Sequence, residues 1–527
     1  MQEQRTDFKE TFTSIIIAFA MAFLFRGFVV EAFIIPTGSM APTLRGQHHQ
    51  FRSNENGYEW VSGPSAEGMS GRSGGRVMGV DVNTGAGGET PFVSRAGDRI
   101  FVMKYLYSVY DPARYDVVVF KNPTDPTINF IKRLIGLPNE QIALIDGDVF
   151  VRKPQPSDAK DANPWELPGW KVAAKPERAQ RSMWQLVFDS QFTPITGTVG
   201  NRPWVSPWLG TTGDGNASKA WTFGKDGVYE LATADASRLN WDFVKRPIYD
   251  FYAYNVMVNA GSPLTYPVSD LRMSLGVRPE KTGGTISATV QSRGQQFRAD
   301  INGTNVELKM RPIANTEGPA DSPWNVLAKS TLDSPLPAGK VTNLEFWHVD
   351  QTLQLWVQDK LVARGEYEWT PAQRIAGTMN ETIADLMKPG NVLMQEAKYS
   401  KAQAWWEFSG SPVKLYRVRM DRDIFYQPGL IGTVGRNGAN VPALATHPDS
   451  TLTTSPDQFF VCGDNSPSSL DGRLWSSVNP WVKGIEPRVG VVHRDLLIGK
   501  AFFVYFPAPQ WPFGIPMPDV GQMRWIW

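Results

Sequence analysis

Apolar positions fall into distinct textures along this chain of 527 residues, and each texture predicts a different element. Residues 12–25 (FTSIIIAFAMAFLF) form a near-unbroken apolar run that resumes after Arg26 as residues 27–30 and 32–35. About 20 residues at a rise of about 1.5 Å cross the hydrocarbon core of a bilayer. Residues 12–33 therefore predict one transmembrane helix, with Arg26 snorkelling towards an interface. A cleavable leader is the competing reading, but its small-x-small triplet Ala20-Met21-Ala22 lies inside the apolar run with no polar stretch before it. Residues 45–96, rich in Gly and Ser, read as a flexible inserted loop, with His48-His49 exposed on it. From Asp98 the pattern changes to strand-like runs at 99–107, 115–120, 129–135 and 141–152, separated by Pro and Asp/Asn turns. The same texture returns only at 458–463 and 497–506.

The long segment between these pieces opens with a Pro-rich passage and then alternates with period two. Leu271, Met273, Leu275 and Val277 share one face of a strand, as do Ile286, Ala288 and Val290, and Leu353, Leu355 and Val357. Asn302-Gly303 between two such runs is a two-residue hairpin signal. Residues 153–457 therefore predict a β-sandwich. Residues 344–359 (LEFWHVDQTLQLWVQD), strand, turn and strand, resemble the jelly roll of concanavalin-like and laminin-G-like domains. The segment holds 13 of the 19 tryptophans. Trp347, Trp356, Trp405 and Trp406 are read as core or interface residues rather than a sugar-stacking platform, because large aromatics dominate sandwich cores. Trp511, Trp525 and Trp527, with Phe513, Ile515 and Ile526, form a Trp-rich tail at 508–527 of the kind enriched at membrane surfaces.

Composition narrows the function classes. Fifty-three Lys+Arg against 52 Asp+Glu give a net charge of +1, so no global field selects nucleic acid, and none is expected as a partner. Charged residues are 20% and hydrophobic ones 42%, which is enough to bury a core. The one cysteine, Cys462, cannot form an internal disulfide or a Cys-rich zinc site, and its apolar strand predicts a buried thiol. No metal or other cofactor is expected.

Two residues carry candidate chemistry. Ser39 stands in Pro-x-Gly-Ser-Met-x-Pro where the apolar run ends, on a segment stiffened by Pro36 and Pro42. A serine needs a base, and with five histidines and no G-x-S-x-G elbow a Ser-His-Asp arrangement has little support. A lysine stripped of water is the alternative base, because burial disfavours the ammonium. Lys132 in Asn-Phe-Ile-Lys-Arg-Leu-Ile fits, against the plainer reading that Lys132 and Arg133 are exposed strand residues.

Four segments decide between these readings: Ile-Pro-Thr-Gly-Ser-Met-Ala-Pro-Thr-Leu at 35–44, Asp-Val-Val-Val-Phe at 116–120, Ile-Lys-Arg-Leu-Ile-Gly-Leu-Pro at 131–138 and Gly-Asp-Asn-Ser-Pro-Ser-Ser-Leu-Asp-Gly-Arg at 463–473. In this order after an apolar span they resemble the boxes of type I signal peptidases. The resemblance implies that Ser39 is the nucleophile and Lys132 the general base. It implies an oxyanion hole from the Ser39 N–H and the Thr37 hydroxyl, and Ser469 as the residue orienting the lysine. Asp471 and Arg473 would form an ion pair near the site, with Asp464 and Asn465 as further structural residues, and Phe33, Ile35, Met40, Leu44 and Ile131 would line two shallow pockets for small side chains. Ser466, Pro467 and Gly472 depart from the usual pattern without removing a catalytic group.

The implied organisation is mainly β. A cytoplasmic segment (1–11) and an anchor (12–33) precede a catalytic domain in two parts (34–152 and 458–507), split by the inserted sandwich (153–457). The implied protein is a single-pass serine endopeptidase of the cell membrane, its catalytic part on the extracytoplasmic face, that removes signal peptides at small-x-small sites. Its partners would be signal-peptide-bearing preproteins and the lipid bilayer, with the insert's ligand open. The alternatives are an inactive membrane-anchored scaffold whose insert binds carbohydrate or protein, and a self-cleaving Ser/Lys protease.

Overall fold

A computed structural model of the chain describes residues 3–63, 76–91, 95–159, 161–224, 226–251, 254–255, 264–313, 322–390, 392–431, 441–509 and 515–527. The chain is mainly β. Its N-terminal helix, Glu3–Phe28, is the one helix among the described residues long and apolar enough to cross a membrane, over Phe8–Phe28, and no part of that span is buried against the rest of the protein. The helix stops short of the expected residue 33. Val30–Ile34 is extended and pairs antiparallel with Arg99–Met103, because once the chain can join a sheet, its β-branched and aromatic residues fit a pleated surface better than a helix end.

The first sheet runs Val30–Ile34, Arg99–Met103, Leu497–Phe506, Val117–Lys121, Asn129–Gly136, Gln458–Cys462, Val492–His493, with Arg524–Trp525 added on Leu497–Phe506. A strand from near the end of the sequence thus separates two strands from its beginning, so the two parts close one core only together. The tail at 508–527 belongs to this sheet as well. Ile526 is buried with Ile35, Met40 and Leu44, while Trp525 and Trp527 remain partly exposed. Trp511 and Phe513 lie outside the described residues.

The stretch expected to be a loop is instead structured where it is described. His49–Arg52 pairs with Glu59–Ser62, and Arg76–Val80 with Gly87–Pro91. His48 and His49 are buried rather than exposed. The reason is local: Phe51 stacks on Trp60 at 5.3 Å, and this small apolar cluster gives the Gly/Ser-rich segment something to bury. Residues 64–75 of that stretch lie outside the described residues.

The insertion is a two-sheet sandwich. One sheet runs Trp221–Phe223, Tyr229–Leu231, Val413–Arg422, Leu271–Pro279, Thr342–Val349, Thr352–Val357, Lys360–Glu366, with Gln185–Asp189 also paired to Val413–Arg422. The other runs Trp208–Thr212, Ser237–Trp241, Gln403–Ser409, Thr285–Ser292, Gln295–Asn302, Asn305–Pro312, Asn325–Thr331. Leu271, Met273, Leu275, Val277, Ile286, Ala288 and Val290 all face the shared core, as the alternation predicts. Asn302 and Asn305 pair across the expected hairpin turn, where Gly303 has φ +61°.

The hairpin Gln141–Ile145/Asp148–Arg152 joins the two bodies, since its alternate residues serve two cores. Ile142, Leu144 and Val149 pack on the side of the first sheet, and Ala143, Ile145 and Phe150 with the sandwich. Buried ion pairs fasten the same joint. Arg293 bridges Asp146 and Asp270 at 2.6 Å each, Arg374 reaches Asp146 and Asp148, and Lys175 reaches Asp350 at 2.5 Å and Asp423 at 2.8 Å. The carboxylates of Asp148, Asp270, Asp350 and Asp423 lie within 4.8 Å of one another, and these cations sit among them.

Candidate active site

Ser39 sits in a single 3-10 turn, Gly38–Met40, directly after the first strand. All three carbonyls of the turn are occupied, Met40 O by the Leu44 N–H at 2.8 Å. The Ala41 N–H and the Asn465 Nδ2 donate to Gly38 O at 3.0 Å each, and the Asn465 N–H donates to Ser39 O at 3.0 Å. Gly463 lies so close behind that a Cβ built there would meet the Ser469 hydroxyl at 2.2 Å and Ser39 O at 2.4 Å. Only glycine lets the 463–473 segment press against the serine turn, which explains why this box begins with that residue.

Lys132 stands in the strand Asn129–Gly136, at the point where the sheet's pairing changes. Along one side this strand pairs from Asn129 to Arg133 with Val117–Lys121. Along the other, Gln458–Cys462 reaches only as far as Arg133. The edge at Asn129 to Lys132 is thus without a strand partner among the described residues. Lys132 and Arg133 are both buried, contrary to the plainer expectation of two exposed cations, and alternation sends them to opposite faces. Arg133 donates to both Asp464 oxygens at 2.7 and 2.6 Å, and to the backbone carbonyls of Tyr115 and Trp527. Lys132 Nζ donates to Ser39 Oγ at 2.7 Å and to Ile131 O at 3.1 Å. Burial lowers its pKa from 10.5 to about 8, against the field of Asp471.

Asp471 acts on Lys132 only through that field, because its carboxylate is engaged elsewhere. Arg473 donates to it through Nε at 2.9 Å and Nη2 at 2.8 Å, and the Gly463 N–H donates at 2.9 Å. Arg473 also reaches Ser466 Oγ at 2.6 Å, so the serine at this unusual position is part of the pair's support.

The remaining expected residues divide. The exposed Thr37 places its hydroxyl 3.4 Å from Ser39 Oγ. Ile35, Met40 and Leu44 are fully buried in one apolar cluster, with Phe33 and Ile131 half-buried against it. They form a floor and a rim beside the serine turn. Ser469 is buried against Gly463, and its hydroxyl makes no hydrogen bond to Lys132. Cys462 is fully buried, as expected, and burial raises its thiol pKa well above the usual value.

Two contributors come from the insertion and were not foreseen. The side-chain amides of Asn255 and Asn465 bond each other reciprocally at 2.6 and 3.0 Å. Tyr254 is buried with its ring against Gly38, where a Cβ would meet it at 2.9 Å. Neither residue lies in a recognisable motif, so the sequence carries no signal for them.

Residues 92–185 match the family described as signal peptidase, peptidase S26. Signal peptidase I of Rickettsia prowazekii is 30% identical over 143 residues, 27% of this chain and 43% of the relative. That of Rickettsia massiliae is 31% identical over the same length, 42% of the relative. The chain thus spans about two fifths of the length of the curated relatives it matches. Among solved structures, the carbohydrate-binding module CBM66 from Bacillus subtilis aligns at a TM-score of 0.23 and 11% identity, covering 41% of this chain and 95% of that one. The laminarinase from Rhodothermus marinus aligns at 0.26 and 11%, covering 46% and 98%. A match to the signal peptidase S26 family over residues 92–185 thus stands beside a two-sheet β-sandwich.

Proposed function

We propose that this protein is a membrane-anchored serine endopeptidase that removes signal peptides from exported preproteins. The observation that carries the reading is the 2.7 Å contact between Lys132 Nζ and Ser39 Oγ at a buried site. A lysine with a pKa of about 8 is neutral in roughly a tenth of molecules at pH 7. In that form it accepts the Ser39 proton as Oγ attacks the scissile carbonyl. The Ser39 N–H and the Thr37 hydroxyl then meet the developing oxyanion. Lys132 returns the proton to the leaving amine, and the same lysine activates the water that releases the acyl group. Ser469, buried against Gly463 behind the serine turn, is the residue we assign to orient the lysine.

An extended substrate adds along the unpaired edge beside Lys132, a recognition mode that takes its affinity from main-chain hydrogen bonds. The two small residues of a small-x-small site, both preceding the scissile bond, fit the shallow relief left by Phe33 and Ile131 over the buried Ile35, Met40 and Leu44. The helix Phe8–Phe28 is the anchor in this reading, with the sheets on the extracytoplasmic face of the membrane.

Cleavage of a preprotein bearing an Ala-x-Ala site, in detergent or liposomes, tests the proposal. Ser39→Ala and Lys132→Ala should each lower kcat/KM by at least about a thousandfold. In the unmodified chain kcat/KM should rise with pH to a plateau above about 8. A rate flat across that range, or cleavage retained in either variant, would remove the dyad.

A further inference from the structure

The sandwich has one face whose chemistry is unlike a merely solvated sheet. In the seven-stranded sheet, alternation sends Ala404, Trp406 and Phe408 into the core and Gln403, Trp405 and Glu407 to the opposite face. The strand register aligns that face in rows. One row crosses the sheet as Asn240, Trp405, Thr289 and Arg298. The next crosses it as Gln403, Gln291, Gln296 and Arg311. Together with Arg238 these rows, Thr289 excepted, line an open depression of about 240 Å³.

Three features make this a built site. The first is the amides. Gln403, Gln291, Gln296 and Asn240 each present a donor and an acceptor together, which is what vicinal hydroxyl groups require. They are half-buried and held in place, Gln296 donating to Gln291 at 2.9 Å and accepting from Arg311 at 2.9 Å. The second is Trp405, which lines the depression and whose Nε1 is a polar atom on a residue 9% exposed, with no hydrogen-bond partner. A buried polar atom left in that state is costly in a structural sheet and useful under a ligand. The third is charge. The lining holds Arg238, Arg298 and Arg311 and no carboxylate. Glu407, which pairs with both Arg238 and Arg298, and Asp300, which pairs with Arg298 at 2.7 Å, fix the two guanidiniums from outside the lining.

We infer that this face binds an acidic oligosaccharide, a short sugar chain carrying carboxylate groups. The row from Gln403 to Arg311 spans four strands, about 14 Å at about 4.8 Å per strand, long enough for several sugar units. Arginine suits planar carboxylates because its fork donates two parallel hydrogen bonds. The absence of apolar lining other than Trp405 excludes acyl chains and apolar peptide side chains. The inference stands apart from the peptidase reading and shares no residue with that site.

Isothermal titration of the full-length protein in detergent, with tetramers of galacturonate, mannuronate and guluronate and an uncharged glucose tetramer, tests it. At least one uronate tetramer should bind saturably, at least about tenfold more tightly than the glucose tetramer. Raised salt should weaken that binding. The double variant Gln296→Ala/Gln403→Ala and the single variant Arg311→Gln should each weaken it by at least about tenfold, with the melting temperature of the protein unchanged. Absence of uronate binding at millimolar concentration by folded protein would overturn the inference, as would equal binding of the uncharged tetramer or binding untouched by both variants.

Discussion

Two buried lysines in this molecule have opposite fates, and the contrast shows what lowers a buried ammonium's pKa. At the joint between the bodies, Lys175 lies against Asp350 and Asp423, and despite desolvation those carboxylates raise its pKa well above the ordinary value. In the site, Lys132 touches a hydroxyl and a carbonyl, and burial takes its pKa down to about 8. Carboxylates are not scarce near Lys132, but each is already taken. Arg473 holds Asp471, and Arg133 holds Asp464. Burial alone is common to both lysines. The site differs in arginines that occupy its acids before the lysine can, leaving the ammonium unsupported and therefore ready to lose its proton.

The largest test of this comparison is to neutralise both lysines. Lys175→Met leaves Asp350 and Asp423 buried without their shared cation and should destabilise the protein by about 3–5 kcal/mol. Lys132→Met should do the reverse. Its folded pKa lies below the unfolded value of 10.5, so the unfolded chain binds the proton more tightly, and below pH 8 the folded state carries a penalty of about 3 kcal/mol. That penalty shrinks as pH rises from about 8 towards 10.5. Methionine removes it while losing two hydrogen bonds of about 0.5–1.5 kcal/mol each, for a net gain of up to about 2 kcal/mol at pH 7 that fades in alkali. Thermal melts at pH 7 and above pH 10 read both signs, and equal destabilisation by the two variants would break the contrast.

The contrast sharpens with Arg473→Gln. Without its guanidinium, Asp471 is left free to act on Lys132, whose pKa should rise by about one unit. The acid limb of kcat/KM should move alkaline by the same amount, so activity at pH 7 falls about tenfold while the plateau changes little. A variant that was merely misfolded would lose activity equally at every pH.

Much of this was legible in the sequence because it is local. Period-two alternation fixed the faces of Leu271–Pro279 and Thr285–Ser292, and the Pro-x-Gly-Ser and Ile-Lys-Arg segments marked Ser39 and Lys132, which the fold brings to 2.7 Å. What was not legible depends on partners far along the chain. The segment at 45–96 looked like a loop because Gly and Ser dominate its composition, yet Phe51 and Trp60 give it a core. The apolar run continued past Phe28, and hydropathy cannot say that Arg99–Met103 would claim Val30–Ile34 as a strand. The adjacent pair Lys132-Arg133 reads as two surface cations until Asp464, distant in sequence, arrives to hold the second. Trp347 and Trp356 are buried beneath Arg181, which stacks over both rings, as the core-or-interface reading expects, whereas Trp405 lies on the outer polar face.

The smallest expected effect asks whether the insertion takes part in the reaction at all. Asn255 reaches the serine turn through one intermediary: its amide holds Asn465, whose Nδ2 in turn donates to Gly38 O beside Ser39. Asn255→Ala removes the outer pair and leaves Asn465 bonded to the turn, so the fold should persist. Losing a part-buried amide bond is worth about 1 kcal/mol, and looser placement of Ser39 should appear in kcat rather than KM, as a fall of about fivefold. Because Lys132 is untouched, the acid limb of the pH profile should stay where it is. A shifted limb would mean that Asn255 acts on the lysine's environment, and an unchanged kcat would reduce the insertion's contact with the turn to packing alone.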